Sequence, residues 1–374
     1  MSGKPKFHIR VIGLLVVLTL VLVCAAVGEW ALRGSEPKRF VRPSQVPGLS
    51  YELIPNYHAV YSGIDYRINQ LGFRGEDFPQ VKPPGEHRIL FLGDSIVQGG
   101  HVREEEAVGA QLQALWNSRP GAPATRVINA GVSSYHIKNY LAVYEYRGVQ
   151  LSPDTVLIGV FLNDHFPFID EDKLKTVERK PAVWERSQLL LAIVAGVRNL
   201  LLSKAVDLNT ADPRVVQGLL SAIPDQGSVE SLFRFLNERG YSLDVLAQES
   251  IPLVFDLTAW DQIRGPLKEF VRLLKGTPVK LMVVVFPVEF QLQEGYTYPE
   301  PQRRIREICE SLKIPVLDTV PVLTALQHQL GHSVYHRKGD LMHFNAEAHR
   351  AVAEAIYQYQ QELAVAQGVG SGAW

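Results

Sequence analysis

The sequence predicts an α/β protein organised on a five-stranded parallel sheet, and two features carry that reading. Short apolar runs recur and stop on turn residues or lead into polar loops: Arg88–Gly93, Arg126–Gly131, Thr155–Leu162, Val279–Phe286 and Ile314–Leu317. Apolar runs of about four to eight residues bounded by turn chemistry read as buried strands. Segments with helical spacing lie between them, and that alternation implies parallel pairing through right-handed crossovers.

Residues 1–10 form a basic tail carrying Lys4, Lys6 and Arg10, and Val11–Val27 is an unbroken run without charge. At ~1.5 Å per residue the run approaches the ~30 Å hydrocarbon thickness of a bilayer. Residues 11–30 therefore read as a transmembrane anchor, with the bulk of the chain on the exported (periplasmic or extracellular) side. A cleaved signal peptide is the rival reading and would give a secreted form, with Ala26-Val27-Gly28 as its small-residue site. Residues 31–85, rich in Pro, Tyr and Gly, read as a linker and extended lead-in. Within them Asn69-Gln70-Leu71-Gly72-Phe73-Arg74-Gly75 reads as a glycine-bearing turn.

The main domain is assigned to 86–365. After its first strand the loop stays open through Val97-Gln98-Gly99-Gly100, and Glu104–Trp116 is helical with acids in the first turn, where the helix dipole favours them. A second helix covers His136–Tyr146. About 166–276 the rhythm breaks, which marks a helical insertion serving as a cap or lid and closing with a crossover helix at Ile263–Leu274. Helices follow at Gln302–Leu312 and Ala346–Ala364, and 366–374 is a flexible tail.

Composition narrows the function. Of 374 residues 46% are hydrophobic and 21% charged, enough for a proper core, and the formal net charge of -1 provides no basic field for nucleic acid. Nucleic-acid binding is set aside. Cys24 and Cys309 are the only cysteines, so a disulfide framework does not hold the fold.

Chemistry-bearing residues gather where the strands end. Gly93-Asp94-Ser95-Ile96 closes the first strand, Asn129-Ala130-Gly131 the second and Asn163-Asp164 the third. Open α/β sheets place reactive groups at the carboxyl ends of strands, although a capping Ser or Asp would leave the same letters. Asp340-Leu341-Met342-His343 precedes the last helix. An acid three residues before a histidine can bond one ring nitrogen and leave the other for a nucleophile, and a surface Asp beside a loop His is the plainer reading of that motif alone. The combination is what counts: all four loops fall at or beyond carboxyl ends of strands. His328, His332 and His336 recur every fourth position, but Gly331 interrupts them and no cysteine or carboxylate completes a shell, so no metal site is assigned. Trp116, Trp184 and Trp260 read as core or lid residues and His349 as a packing or capping residue.

Together these motifs resemble the SGNH hydrolase superfamily, the GDSL-type esterases and lipases, in its membrane-anchored or exported bacterial form. Gly93-Asp94-Ser95 matches the first block, with Ile96 where leucine is usual. Asn129-Ala130-Gly131, Asn163-Asp164 and Asp340-Leu341-Met342-His343 match the others, and Phe161 replaces the glycine usual before Asn-Asp. The likeness covers 69–361 with the insertion unaccounted for. It implies a three-layer α/β/α, flavodoxin-like fold with Ser95 as nucleophile, His343 as general base and Asp340 orienting the imidazole. It further implies an oxyanion hole of the Ser95 and Gly131 N–H groups with the Asn163 side-chain amide. Gly131 would be glycine so that no side chain crowds the acyl group, and Asp94 and Asp164 would be structural.

The implied activity is hydrolysis of a small acyl ester, such as O-acetyl on a carbohydrate, through an acyl-serine intermediate and without a cofactor. The partners are then an acyl ester or acylated glycan as substrate and a membrane through the N-terminal segment. Two other readings stay open: an O-acyltransferase of an exported glycan using the same triad, and an inactive membrane-tethered binding or assembly module.

Overall fold

Valine, isoleucine, leucine and phenylalanine dominate the apolar runs, and a computed structural model of the chain folds each run into a strand. It describes Val27 and residues 40–61, 63–162, 164, 260–337 and 340–368. The chain divides into two units. Met1–Arg39 with Asp172–Ala205 lies outside the described residues except for Val27, and the architecture belongs to the other unit, Phe40–Glu171 with Val206–Trp374. The expected membrane segment and most of the expected insertion, with Trp184, fall outside the described residues. Among those described, no helix is long and apolar enough to cross a membrane.

The lead-in forms two antiparallel pairs, β1 (Val41–Pro43) with β2 (Tyr51–Leu53) and β3 (Tyr57–Tyr61) with β4 (Ile64–Ile68). Five strands then make the parallel sheet: β5 (His87–Gly93), β6 (Thr125–Gly131), β7 (Thr155–Phe161), β8 (Lys280–Phe286) and β9 (Val316–Asp318). Their spatial order is β6-β5-β7-β8-β9, with every pairing parallel. The winding reverses between β5 and β7, and the crevice beyond the carboxyl ends of strands at such a reversal is where open α/β sheets bind ligands. All seven residues of β7 are buried, as a strand paired on both edges and covered on both faces must be.

The helices are α1 (Ser95–Gln98), α2 (Val108–Asn117), α3 (Ile137–Val143), α4 (Arg264–Leu274), α5 (Glu300–Ser311), α6 (Val320–Leu330) and α7 (Ala346–Ala366). The pleat divides the neighbours of the sheet: Gly109 of α2 lies against Val127 and Asn129, whereas Gly148 beyond α3 lies against Leu90, the register partner of Ile128. On the α2 side, Trp116 donates its indole N–H to Gln360 of α7 at 3.1 Å and meets Tyr357 edge-on. On the α3 side, Tyr144 packs on Phe270 of α4 with ring centroids 5.5 Å apart. Trp116 and Trp260 are thus core residues, with no ring surface for a sugar.

Several local expectations need correction. The loop after Ser95 is not open, because Asp94 caps a single helical turn there. The expected helix from Glu104 splits into a 3-10 turn at Glu104–Glu106 and α2, since Ala107 between them is extended and the Glu106 carboxylate turns back to the Arg103 N–H at 2.9 Å. The helix expected at His136–Tyr146 stops at Val143 and widens into a π turn over Tyr144–Gly148. The last strand is Val316–Asp318, shifted from Ile314–Leu317. Helix α6 was missed although its signals are present: proline in the first turn, Asp318 accepting the Val320 N–H at 3.0 Å, and Gly331 at φ 70° as its stop. It carries His328 and leaves His332 and His336 beyond its end.

Ile158, in the middle of β7 between Leu92 and Val283, is fully buried. Ile158→Ala should cost about 2–5 kcal/mol of stability, read as a lowered urea midpoint at unchanged slope.

Candidate active site

The nucleophile candidate owes its place to two glycines and an aspartate. A Cβ on Gly93 would lie 2.2 Å from Cγ2 of Val97, so only glycine lets β5 fold back at once into α1. Asp94 accepts the Ile96 N–H at 2.9 Å, capping α1, and Gly99 at φ 72° closes it with its N–H 3.0 Å from the Ser95 carbonyl. Ser95 therefore sits at the first helical position, half-buried, and its own N–H makes no hydrogen bond among the described residues. Burial pushes the Asp94 carboxyl up to about 6 despite the Ile96 N–H, which fits a structural cap.

The Asp-x-x-His segment is shaped by its own acid. Oδ1 of Asp340 accepts the backbone N–H groups of Met342 and His343 at 3.0 and 2.9 Å, a turn that brings the His343 ring back over the carboxylate. Nδ1 of His343 then lies 3.2 Å from both carboxylate oxygens. Burial works to raise the Asp340 pKa, but the His343 ring with the two N–H groups outweighs it and holds the carboxyl well below the usual range. The loop is tied to the sheet end by the Glu289 N–H on the Leu341 carbonyl at 2.9 Å and the Tyr335 hydroxyl on the Pro287 carbonyl at 2.7 Å. Asn345 caps α7 by accepting the Ala348 N–H at 2.9 Å. Across 248 residues of sequence, Nε2 of His343 ends 3.0 Å from Oγ of Ser95.

The other site residues expected from sequence divide. Asn163 lies outside the described residues. Gly131 stands beside the turn that carries Ser95, but its N–H is 3.1 Å from Oδ1 of Asn129, so in this conformation the amide is already engaged. Its lack of a side chain has a different cause from the one expected. A Cβ there would meet the Gln98 nitrogen at 2.2 Å and the Asp94 carbonyl at 2.9 Å, so glycine is already required to admit the backbone of α1. Asp164 is buried and accepts the Tyr140 hydroxyl and the Phe161 N–H, both at 2.7 Å, pinning the turn after β7. Its pKa is raised by burial first and by Asp94 second.

Sequence reasoning missed two residues. Arg74, in the glycine-bearing segment at which the family likeness begins, is buried and stacks 4.3 Å over the Tyr66 ring. Its guanidinium donates to the carbonyls of Gln98 and Val102, both at 2.7 Å, and to that of Gly99, so it satisfies the carbonyl end of α1. Its backbone also bridges Asn129 on β6, two residues before Gly131. Asn69 builds the turn that delivers it, accepting the N–H groups of Leu71 and Phe73 at 3.0 Å. The second is His101, whose ring centroid lies 4.3 Å from that of His343 and 4.8 Å from that of His336. Burial first, and the neighbouring His343 second, push its pKa down to about 4. No spacing signal in the sequence singles it out.

No family model matches the chain, and no curated protein does. Solved structures similar to it include an acetylxylan esterase, Axe2, from Geobacillus stearothermophilus, at 16% identity and a TM-score of 0.39 over 73% of this chain and 93% of that one. An acetyl xylan esterase, AlAXEase, is similar at 12% identity and a TM-score of 0.39, covering 72% of this chain and 98% of its own. LAE5, an alpha/beta hydrolase enzyme from the metagenome of Lake Arreo, Spain, is similar at 13% identity and a TM-score of 0.40, covering 73% and 94%.

Two substitutions test how the serine turn is held. Gly131→Ala should cost about 1–3 kcal/mol through overpacking and slow labelling of Ser95 by a fluorophosphonate, with both read on the same preparation. Arg74→Lys keeps the charge but loses the fork; the labelling rate should fall by up to ~100-fold from misplacement of α1, with circular dichroism unchanged.

Proposed function

We propose that the protein is a serine esterase of the SGNH hydrolase type, cleaving a small acyl ester such as an O-acetyl group on a carbohydrate. The observation that supports this reading is the 3.0 Å contact of Ser95 Oγ with His343 Nε2, whose other nitrogen faces the Asp340 carboxylate. In this reading Oγ attacks the ester carbonyl while Nε2 takes its proton. Asp340, kept ionised, stabilises the imidazolium that forms. Negative charge on the carbonyl oxygen is met by the unengaged Ser95 N–H, with the Asn163 amide as a further donor. The Gly131 N–H joins them once it leaves Asn129. As the tetrahedral adduct collapses, the C–O bond to the leaving alcohol breaks, Nε2 returns the proton to that alcohol, and acyl-Ser95 remains. Water attacks the acyl carbon and gives Nε2 a proton, which passes to Ser95 as the acid leaves.

No cofactor enters these steps. The run at 11–27 supports a tether that keeps the site on the exported face of a membrane.

Purified protein should hydrolyse a short-chain aryl acetate and take up a fluorophosphonate probe, whereas Ser95→Ala should do neither while keeping its circular dichroism spectrum. Retained turnover in Ser95→Ala would overturn the proposal. Asp340→Asn, which turns the imidazole to the wrong tautomer, should lower kcat by roughly 10⁴-fold.

A further inference from the structure

His101 has no part in the acyl-transfer steps, yet it sits on the same ring that performs them. It follows directly on Gly99-Gly100, at the exit of the nucleophile turn, and its half-buried imidazole lies against that of His343, with centroids 4.3 Å apart and the ring planes tilted by 57°. The exposed ring of His336 is also close, with its centroid 4.8 Å from that of His101. One donor atom from each of His101, Asp340 and His343 can be chosen so that all three lie within 4.8 Å of one another. Two imidazoles and a carboxylate, with water in a fourth position, are a donor set that suits zinc and its neighbours in the first transition row. Zinc bonds of ~2.0–2.1 Å in a tetrahedron put ligand atoms ~3.3 Å apart, so the widest pair has to close by about 1.5 Å. Rotation of the His101 ring, which is held by packing rather than by a hydrogen bond among the described residues, supplies part of that movement.

We infer that His101, Asp340 and His343 form a binding site for a divalent transition-metal ion of the zinc type, and that an ion held there switches the serine centre off. The second half rests on the proposed esterase reading; the first does not. The inhibition follows from the hydrogen bonds in place. Nε2 of His343 faces Ser95 and Nδ1 faces Asp340, so a metal on either nitrogen removes one of the two contacts the triad needs. With Nε2 occupied, Ser95 loses the imidazole that would take its proton and keeps only the long 3.5 Å contact of its hydroxyl with Oδ2 of Asp94. With Nδ1 occupied and Asp340 drawn to the metal, the ring loses the carboxylate that orients it. Binding exchanges water for protein ligands without any redox change, so a chelator reverses it.

The test uses the full-length protein stripped by a chelator. Zinc chloride is titrated against a colorimetric zinc indicator while hydrolysis of an aryl acetate and fluorophosphonate labelling are followed in parallel. One ion should bind with micromolar or tighter affinity, with activity and labelling lost over the same zinc range and restored by EDTA. His101→Ala and His101→Asn should each weaken zinc binding by at least ~10-fold and move the inhibition curve by the same factor, whatever their rates in the absence of metal. Zinc uptake that ignores both His101 variants, or no uptake by the parent at sub-millimolar zinc, overturns the site. Tight, His101-dependent uptake by a protein without esterase turnover upholds the site and sinks the hydrolase reading instead. Turnover that persists with the ion bound overturns the switch.

Discussion

A single hydrogen bond, from Ser95 to His343, sets the demand that the surrounding structure meets. Its partners belong to segments that never meet in local folding, so each has to be fixed independently to within a few tenths of an ångström. The serine end is fixed by backbone closeness: Gly93, Gly99 and Gly131 remove side chains where α1 turns back against β5 and β6. The histidine end is fixed by hydrogen bonding, with Asp340 holding the turn and Glu289 and Tyr335 holding the loop to the end of β8. Each end is held by hydrogen bonds of its own, Asp94 to the Ile96 N–H and Asp340 to the Met342 and His343 N–H groups, so the two side chains meet already placed.

Buried polar groups carry much of that fixation. Arg74 has no carboxylate among the described residues as a hydrogen-bond partner, and it offsets its desolvation with carbonyls at the end of α1 and the face of Tyr66. Asp94 and Asp164 are buried carboxyls whose pKa values rise through desolvation, and each is satisfied by backbone N–H groups at a strand end. A low-dielectric setting makes such bonds strong and their loss costly, which suits turns that must not move.

The legible part of the sequence was whatever depends on near neighbours. All five parallel strands were located to within two residues at each end, because an apolar run between turn residues has few other uses. Asp340 and His343 could be paired because three residues separate them. Helix α6 was overlooked despite its proline and glycine signals, and α1 was read as open chain because a single turn has no periodicity to detect. The Asn69–Gly75 segment shows its turn and its likeness to the family but not the role of Arg74, since the target of Arg74 lies on another element. His101 gave no signal, because a contact between rings on distant loops leaves no trace in spacing.

By itself, then, the sequence determined the alternation of strand and helix, the turn chemistry at each strand end and the local Asp340–His343 arrangement, all of which arise from interactions over a few residues. Tertiary structure decided the strand order that sets β5 beside β7, the approach of His343 to Ser95, the clamp of Arg74 on the turn that carries Ser95 and the backbone packing against Gly131. Each of these depends on which surfaces meet once the apolar strands are buried, and burial is non-directional: it selects inside from outside, while close packing and the satisfaction of buried polar groups select the partner.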